Sequence, residues 1–294
     1  CNNAADNYDF IKIIYKSGVI VQVNQVAFLT TVFPMDISYL KEMLDSLKAQ
    51  TLNKFDLIVV NDGLVDFDEV IENYKPDINV VELKGKVRIA ENRKIGINYC
   101  ISAGYDFLVF GDSDDTFSKN RIEHSLRLLQ NKDIVVNDLT LFENDITLET
   151  RYLSNRLNNN QSIKFDYIKD KNVFGLSNTA IKLDGLSPIT LPNELVAVDW
   201  YLFSFLLLQG KQAIFTNDAV TYYRQYDGNL VGLKGLDEVS FQRGWLVKKT
   251  HYQALSQITD KVKSECKKYS EPALVYNSSF GVQIGNYSPV NHRQ

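Results

Sequence analysis

Closely spaced carboxylates follow an apolar segment of the chain. Residues 107–110 are apolar, and after one glycine the tetrapeptide Asp-Ser-Asp-Asp occupies residues 112–115. In an extended backbone, side chains two residues apart point to the same side, so Asp112 and Asp114 can converge. Mg²⁺ or Mn²⁺ is the natural partner of such carboxylates and would stabilise a diphosphate leaving group as a Lewis acid. An acidic turn that only ends the strand explains the same tetrapeptide equally well.

Another acidic residue lies in the turn after a second apolar run. Residues 55–60 lead into Asn61-Asp62-Gly63, a triplet that is typical of a hairpin turn. The next segment, residues 66–74, has a helical rather than a strand-like pattern. Ligands of open α/β sheets bind at strand-to-helix turns, so we favour a role for Asp62 in binding a ribose or base over a simple hairpin.

Two charged residues on predicted helices have both a structural and a functional interpretation. Arg93 lies on a helix predicted for residues 87–103 and can reach a diphosphate or a base, although such an arginine is more often a solvated surface residue. Asp199 begins a helix predicted for residues 199–208. It is either a helix cap or a general base that takes the proton of an acceptor hydroxyl, and the sequence does not decide between the two.

Aromatic and basic residues occur together in residues 222–229. This segment contains Tyr223, Arg224 and Tyr226 and ends in Asp-Gly-Asn, which is turn chemistry. An ordinary strand and turn is the preferred interpretation of these residues alone. The alternative is a loop that closes over a nucleotide and places Arg224 near phosphate.

Strands and helices alternate along the first half of the chain. Apolar runs predict strands at residues 26–32, 55–60, 79–83 and 107–110. Apolar residues at helical spacing predict helices at residues 37–47, 66–74, 87–103 and 120–129, the first capped by Asp36 or Ser38 and the third ended by Gly104. This alternation predicts an α/β fold with a mostly parallel central sheet flanked by helices.

The second half is less regular. It predicts strands at residues 134–136, 174–183 and 213–223, antiparallel pieces within residues 139–153, a helix at residues 199–208 that ends at Gly210, and a helical segment at residues 237–269. We therefore divide the chain into an N-terminal extension at residues 1–24, two halves of one α/β domain at residues 25–130 and 131–236, and a C-terminal helical extension at residues 237–294.

The composition of the chain excludes several classes of protein. The hydrophobic share of 45% and the charged share of 23% are ordinary for a soluble globular protein, and the net charge of -4 predicts no general attraction to nucleic acid. The three cysteines and three histidines are scattered, which argues against a disulfide scaffold and a zinc site and favours a reducing compartment. No apolar run is long enough to cross a bilayer, so we expect a cytoplasmic protein.

Taken in order, these features resemble the GT-A glycosyltransferases, specifically family 2, over about residues 25–232. Residues 27–33 resemble the first strand and base-binding turn of the family, and residues 110–115, Phe-Gly-Asp-Ser-Asp-Asp, resemble its D-x-D metal motif. Three further segments resemble family motifs: Leu-Lys-Ala-Gln-Thr at residues 47–51 (family L-x-x-Q-T), Val-Val-Asn-Asp-Gly at 59–63 (family V-V-D-D-G) and Ala-Glu-Asn-Arg-Lys at 90–94 (family A-x-N-R-G). Asp-Trp at residues 199–200 falls where the family has E-D, and Tyr-Arg at residues 223–224 falls where it has Y-R-x-H. The chain departs from the family pattern at Pro34, Leu64, Val198 and Tyr226.

The resemblance implies an inverting displacement at the anomeric carbon of a nucleotide-sugar. The residues implied in nucleotide binding are Thr30, Thr31, Phe33, Asp62, Arg93 and Asp112. Asp114 and Asp112 would hold the divalent metal, and Asp199 would be the catalytic base. Tyr223, Arg224 and Tyr226 would contact the nucleotide from a loop. Residues 25–130 then form the nucleotide-sugar-binding half, and residues 131–236 form the acceptor-side half.

Two other functions stay open. A sugar-phosphate nucleotidyltransferase would also need metal carboxylates at a nucleotide-binding edge, but residues 30–36 lack its phosphate loop, which is rich in glycine and basic residues. A non-catalytic nucleotide-sugar-binding module would keep the same fold. The presence of Asp112, Asp114 and Asp199 argues against that module.

The habits of the family favour a UDP-sugar as donor and a carbohydrate or glycolipid as acceptor, in bacterial polysaccharide or lipopolysaccharide synthesis. A basic face formed by Lys248, Lys249, Lys261, Lys263, Lys267 and Lys268 raises the hypothesis of peripheral contact with the inner face of the membrane, although such faces are more often simply solvated. The sequence predicts no oligomeric state.

Overall fold

The computed structural model describes residues 25–74, 78–86, 88–225 and 238–270, together with four short strands near the two ends of the chain. Its strands are β1 (Ile14–Lys16), β2 (Val19–Val21), β3 (Val26–Val32), β4 (Asp56–Asn61), β5 (Asn79–Lys84), β6 (Phe107–Phe110), β7 (Thr116–Phe117), β8 (Ile134–Glu143), β9 (Ile146–Glu149), β10 (Ser162–Ile163), β11 (Thr179–Lys182), β12 (Ala213–Arg224), β13 (Leu274–Asn277) and β14 (Gly281–Ile284).

The α-helices lie between these strands and after them. They are α1 (Ile37–Lys48), α2 (Phe67–Tyr74), α3 (Ile89–Ser102), α4 (Arg121–Leu129), α5 (Phe165–Ile168), α6 (Val198–Leu208), α7 (Glu238–Ser256) and α8 (Lys263–Ser270). Within the described residues, no helix has both the length and the apolar character needed to cross a bilayer.

A ten-stranded sheet forms the centre of the described structure, with the main order β10-β12-β8-β11-β6-β3-β4-β5. Strands β3, β4, β5 and β6 are parallel, so their carboxyl ends meet at one edge. Beyond β6, the antiparallel strand β11 joins β6 to β8, and β8 pairs with β12 in parallel. This architecture confirms the predicted α/β class with helices flanking a central sheet and a C-terminal helical extension.

The central strands β3, β4 and β6 are buried on both faces, because their residues alternate between two apolar cores. One face packs against α1, α2 and α4, and the other packs against α3, α6 and residues of α7. Local signals set the helix limits: the Asp36 carboxylate accepts a hydrogen bond from the Ser38 amide at 2.9 Å and caps α1. Gly104 has a φ of 80° just after α3, as predicted for a C-terminal glycine.

Gly111 lets β6 continue into the acidic segment. A Cβ at this position would lie 2.2 Å from a ring carbon of Phe28 and 2.6 Å from one of Phe117, both in the core. Any larger residue would push the chain away from β3 at the point where the carboxylates begin. The glycine therefore sets the depth at which residues 112–115 leave the sheet.

The second half differs from the prediction in two places. The strand predicted for residues 174–183 is wrong in its first part, since Leu176–Asn178 is a 3₁₀ turn and the strand begins at Thr179. The Thr179 hydroxyl donates to the Gly175 carbonyl at 2.7 Å, and the Asn178 amide donates to the Asn137 carbonyl at 2.9 Å. These side-chain bonds favour a turn over a strand.

The strand predicted for residues 134–136 is longer than expected and extends to Glu143. Asn137 and Asp138 break its apolar pattern, yet both are fully buried. The Asp138 carboxylate accepts the Leu153 amide at 2.8 Å, and the Asn137 side chain donates to the Thr221 hydroxyl at 3.1 Å. The two polar residues end the strand predicted from the sequence. In the structure, β8 continues through both of them because it pairs with the long strand β12.

Candidate functional site

The acidic loop at residues 112–115 lies at the carboxyl edge of the parallel strands. It is tied to the end of β3, where the Gly111 amide donates to the Leu29 carbonyl at 3.1 Å and the Ser113 hydroxyl donates to the Thr31 carbonyl at 2.9 Å. Ser113 is buried, whereas Asp112 and Asp114 are half-buried. The loop therefore has one side anchored in the protein and two carboxylates near the surface.

Arg93 and Asp112 form an ion pair at this edge. The guanidinium Nη2 lies 2.7 Å from Asp112 Oδ1, and Nη1 donates to the Thr31 hydroxyl at 3.1 Å. The side chains are 14% and 29% exposed, so the pair is shielded yet still reachable by a ligand. The structure thus brings together Thr31, Arg93 and Asp112, which the sequence could only place on three separate segments.

The neighbouring residue Asn92 aligns the helix that carries Arg93. Its side-chain oxygen accepts the Lys86 amide at 2.6 Å, and its amide group donates to the Lys86 carbonyl at 2.7 Å. Both bonds join α3 to the segment that follows β5. Because Asn92 is fully buried, this pair of hydrogen bonds sets where the first turn of α3 lies relative to the sheet edge.

Asp115 is the buried member of the acidic loop. Its carboxylate accepts hydrogen bonds from the Ser177 hydroxyl and, at 2.9 Å, from the Arg224 amide. Burial raises the pKa of Asp115 well above its usual range, and the charges of Asp114 and Asp112 raise it further. The sequence does not point to Ser177, because this residue lies 62 positions from Asp115 and has no local motif.

The donor atoms of the acidic loop suit a hard divalent cation. Asp112 and Asp114 supply carboxylate oxygens, and their charges are close enough to act on the same buried neighbour, Asp115. In the described part of the chain, no group of three or more His, Cys, Asp or Glu side chains could hold a metal by itself. By their donor chemistry alone, the two carboxylates fit Mg²⁺ or Mn²⁺, which proteins bind through one or two carboxylates with the other ligands from water and phosphate.

Asp199 lies in the first turn of α6 and near the acidic loop. The pKa of Asp199 is raised to about 6, and burial is the main cause. The charge of Asp112 also raises this pKa. Hydrogen bonds from Trp200 and Asn172 and the charge of Arg93 lower it. The N-cap of α6 is Ala197, so Asp199 is not the capping residue. A carboxylate with a pKa near neutrality is well matched to proton transfer.

Tyr223 lies among the same acidic groups. Burial raises the pKa of the Tyr223 hydroxyl, and the charges of Asp115, Asp112, Asp114 and Asp199 raise it further, in that order. This phenol therefore stays protonated at neutral pH. Its position links the acidic loop and the start of α6 into one polar region.

Arg224 is buried beneath the acidic loop. Its guanidinium pairs with Glu42 of α1, and its Nε donates to the Asp114 carbonyl at 2.9 Å. The guanidinium carbon also lies 4.2 Å from the ring centroid of Tyr39 and 4.6 Å from that of Phe142. Arg224 thus supports the loop from below, and its contact with phosphate stays a prediction. Tyr226 lies outside the described residues.

The turn around Asp62 connects β4 to a helix and not to a second strand of a hairpin. The Asn61 side-chain oxygen accepts the Leu64 amide at 2.8 Å, Gly63 has a φ of 93°, and α2 begins soon after at Phe67. The Asp62 amide donates to the Val32 carbonyl at 2.7 Å, which places this half-buried residue beside the end of β3. This is the context that favours ligand binding over a hairpin.

Two predicted nucleotide-binding residues at β3 have different surroundings. Phe33 is 38% exposed just beyond the strand, where a ligand can reach it. Thr30 is fully buried, and its hydroxyl has no hydrogen-bond partner among the described residues. Since neighbouring strand residues face opposite sides, Thr30 points away from the face where Thr31 meets Arg93. The structure does not bring Thr30 to the site.

Comparisons with known proteins agree with this geometry. The model of one family, described as Glycosyl transferase family 2, matches residues 34–181. A crystal structure of S. aureus TarS 1-349 in complex with UDP-GlcNAc is similar in fold, with a TM-score of 0.58 and 14% identity over 83% of this chain and 79% of that chain.

A second structure, S. aureus TarS 1-349 in complex with UDP, has a TM-score of 0.56 and 15% identity over 83% of this chain and 69% of that one. The chain spans 42% of the longer TarS structure, at a TM-score of 0.55. At these identities, the likeness shows the fold. No curated protein matches the chain.

Proposed function

The chain belongs to glycosyl transferase family 2 and is a glycosyltransferase, and from that premise we propose that it moves a sugar from a nucleoside-diphosphate donor to an acceptor hydroxyl. One observation carries the proposal: the Arg93–Asp112 ion pair, the acidic loop and Asp199 meet at the carboxyl edge of the parallel strands. Nucleotide ligands of open α/β sheets bind at this edge.

We assign donor binding to the residues around the ends of β3 and β4. Asp62 and Phe33, just beyond β4 and β3, would contact the base, and Thr31, Arg93 and Asp112, which contact one another nearer the acidic loop, would contact the rest of the nucleotide. The guanidinium of Arg93 presents several hydrogen-bond donors to a diphosphate or a base. The ion pair with Asp112 holds this guanidinium in place before the donor arrives.

Asp114 and Asp112 are the residues that would hold Mg²⁺ or Mn²⁺. When bound, the cation would neutralise negative charge on the diphosphate leaving group. The carboxylates would set the position of the cation, because hydrogen bonds of Arg224 and Ser113 anchor the acidic loop from two sides. The small number of protein ligands makes donor and metal binding interdependent.

Asp199 is our candidate for the general base. In the proposed step, its carboxylate takes the proton from the acceptor hydroxyl as that oxygen forms a bond to the anomeric carbon. The bond between the anomeric carbon and the diphosphate breaks, and its electron pair leaves with the diphosphate, which inverts the configuration. A pKa of about 6 leaves Asp199 mostly ionised at pH 7 and still basic enough to assist.

A UDP-sugar is the donor that we favour. The TarS structures similar in fold contain UDP-GlcNAc or UDP, and the acidic loop suits a diphosphate with a divalent metal. We propose a carbohydrate or glycolipid acceptor, in bacterial polysaccharide or lipopolysaccharide synthesis. A cytoplasmic location, with peripheral contact between the lysines of α7 and α8 and an anionic membrane, fits such an acceptor.

The membrane part of the proposal has its own test. Lys267 and Lys268 are exposed on α8, and Lys261 is exposed just before it. Co-sedimentation with anionic phospholipid vesicles should be lost when all three lysines are replaced by glutamate. No binding by the native protein would refute the membrane contact and leave the transferase proposal unchanged.

Calorimetric titration of UDP, with and without Mn²⁺, tests the donor site. We expect Mn²⁺-dependent binding that Asp114→Ala abolishes. Asp184→Ala is the matched control, because Asp184 is 76% exposed and forms an ion pair with Lys182 at 3.7 Å. Equal binding of UDP by the native protein and Asp114→Ala would refute the metal assignment. If the native protein does not bind UDP with or without Mn²⁺, titration with dTDP, GDP and CMP would test for a different nucleotide.

A further inference from the structure

The two oxygens of the Asp199 carboxylate have different partners. Oδ1 accepts the Trp200 amide of the same helix turn at 2.8 Å, and Oδ2 accepts the side-chain amide of Asn172 at 2.9 Å. An ionised carboxylate has about four acceptor positions, so these bonds orient the group and leave room for an acceptor hydroxyl. Asn172 is the partner that comes from another segment.

The orientation of the Asn172 amide is set locally. Its side-chain oxygen accepts the Phe174 amide at 3.2 Å, so its NH₂ group must point the other way, toward Asp199. Asn172 itself lies on the surface, in the segment between α5 and the 3₁₀ turn. An exposed side chain keeps such a direction only if the backbone beneath it is held.

Three contacts hold the chain just before Asn172, at Ile168 and Lys169, and two of them come from the C-terminal helices. The Tyr252 hydroxyl of α7 donates to the Lys169 carbonyl at 2.9 Å, and Glu265 of α8 forms an ion pair with the Lys169 ammonium at 2.8 Å. The Trp200 indole donates to the Ile168 carbonyl at 2.8 Å. The segment that presents Asn172 therefore rests on α6, α7 and α8 together.

Helix α7 also contacts Trp200, the residue that follows Asp199. The ring of His251 on α7 stacks on Trp200, with centroids 3.8 Å apart and planes inclined by 15°. Trp200 is next to Asp199 in sequence and supplies the amide that binds Oδ1. Both hydrogen bonds to the carboxylate thus depend on residues that α7 packs against.

We propose that Asn172 is a positioning residue for Asp199, and that the C-terminal helices α7 and α8 act in the reaction by holding Asn172 in place. This inference rests on the proposed role of Asp199 as the base. It gives the C-terminal extension, which lies outside the family match at residues 34–181, a part in catalysis. The base then responds to contacts that are far from the donor site.

Other groups that face Asp199 stay constant in the test. Asp112 follows β6, Arg93 lies on α3 and Tyr223 lies on β12, and each interacts electrostatically with Asp199. Replacing Asn172 changes none of these charges. A change in the pKa of Asp199 can therefore be attributed to the lost hydrogen bond from the Asn172 amide.

The measurement is a ¹³C NMR titration of aspartate carboxyl carbons in the full chain, with Asp199→Asn used to identify the Asp199 signal. The Asn172 bond favours the ionised form, so Asn172→Ala should raise the pKa of Asp199 by roughly one pH unit. The matched control is Asn155→Ala. This variant removes another exposed hydrogen bond from an asparagine amide to a carboxylate, the 3.0 Å bond from Asn155 to Glu149. An Asp199 titration that is the same in native protein and Asn172→Ala overturns the proposal.

Tyr252→Phe tests the role of the helices, because it removes only the hydroxyl that binds Lys169. It should raise the pKa of Asp199 by less than Asn172→Ala does, and it should have no effect in the Asn172→Ala background. Equal shifts in both backgrounds would overturn the role of α7. The titration needs neither donor nor acceptor, so its outcome is separate from the proposed role of Asp199 as the base, which fails if Asp199→Asn transfers sugar at a rate within tenfold of the native protein.

Discussion

The acidic loop at residues 112–115 and the first turn of α6 both present carboxylates to one site, but they are held differently. Groups from β3, the 3₁₀ turn and β12 hold the loop, namely the Thr31 carbonyl, the Ser177 hydroxyl and the backbone amide of Arg224. Asp199 is held by its own helix turn and by one exposed side chain, Asn172.

The two regions should therefore respond differently to substitution. Breaking a buried network leaves polar groups without partners, so changes beneath the acidic loop should lower the stability of the whole protein. Changes around Asp199 involve a half-buried carboxylate and a surface amide, so they should alter proton affinity with little unfolding cost. A metal-binding loop benefits from the first arrangement, and a proton acceptor benefits from the second.

The largest effect that we expect is on the rate, from Asp199→Asn. Loss of a general base should reduce turnover by about 10²- to 10⁴-fold, while Mn²⁺-dependent UDP binding stays intact. The measurement is sugar release from the donor that binds in the titration, with Asp184→Asn as the surface control. Activity within tenfold of the native protein would mean that another group accepts the proton.

The next largest effect is on stability, from Arg224→Met. The variant leaves Glu42 unpaired and the Asp114 carbonyl without its donor, and should lower the free energy of unfolding by about 2–4 kcal/mol. Arg156→Met, at an arginine stacked on the surface ring of Tyr152, should change it by about 0.5 kcal/mol or less. Urea denaturation of both variants makes the comparison, and equal midpoints would show that the loop needs no support from Arg224.

A pair of serines sharpens the contrast within buried networks. Ser177 donates to Asp115 in the site, and Ser154 donates in the same way to the buried Asp138 elsewhere. Replacing either serine by alanine should cost about 1–2 kcal/mol of unfolding free energy. Only Ser177→Ala should also weaken UDP binding with Mn²⁺, and an equal loss in Ser154→Ala would mean that the effect is general destabilisation.

The smallest effect concerns stability and pH at Asp199. Its pKa is raised from 3.8 to about 6 in the folded protein, so the folded state binds the proton more tightly. The stability that this contributes is present below about pH 4 and is lost as the pH rises through 6. Asp199→Asn should therefore be more stable than the native protein above pH 6, by about 1 kcal/mol or less because the group is half-buried.

Thermal unfolding across the pH range checks this expectation. The difference in Tm between Asp199→Asn and the native protein should be positive at pH 8 and should disappear near pH 4. A difference that stays constant from pH 4 to pH 8 would assign the effect to packing instead of ionisation.

Much of the first half could be predicted because its signals are local. The strands Val26–Val32 and Phe107–Phe110 have the limits expected from their apolar runs, and α1 is capped at Asp36 as expected. In these segments, periodicity and capping agree with the burial that the fold imposes. The second half was harder, because β8 and β11 owe their limits to distant partners and to buried polar residues.

The candidate site divides along the same line. The chemical types at Asp112, Asp114 and Asp199 were recognisable from the sequence, whereas Ser177 and Asn172 carry no motif. Each acts on a carboxylate that lies far away in the chain, through a hydrogen bond that exists only when distinct segments meet. Their roles could not be found without the fold.

By itself, the sequence determined the α/β class, the carboxylates at the ends of the strands and the family to which the chain is similar, because these depend on residue type and short-range spacing. Only the tertiary structure decided that Thr30 faces away from the site, that Arg224 lies beneath the acidic loop and that the pKa of Asp199 is near 6. Burial and long-range hydrogen bonds set these properties, and both arise only when the sheet and the helices are packed together.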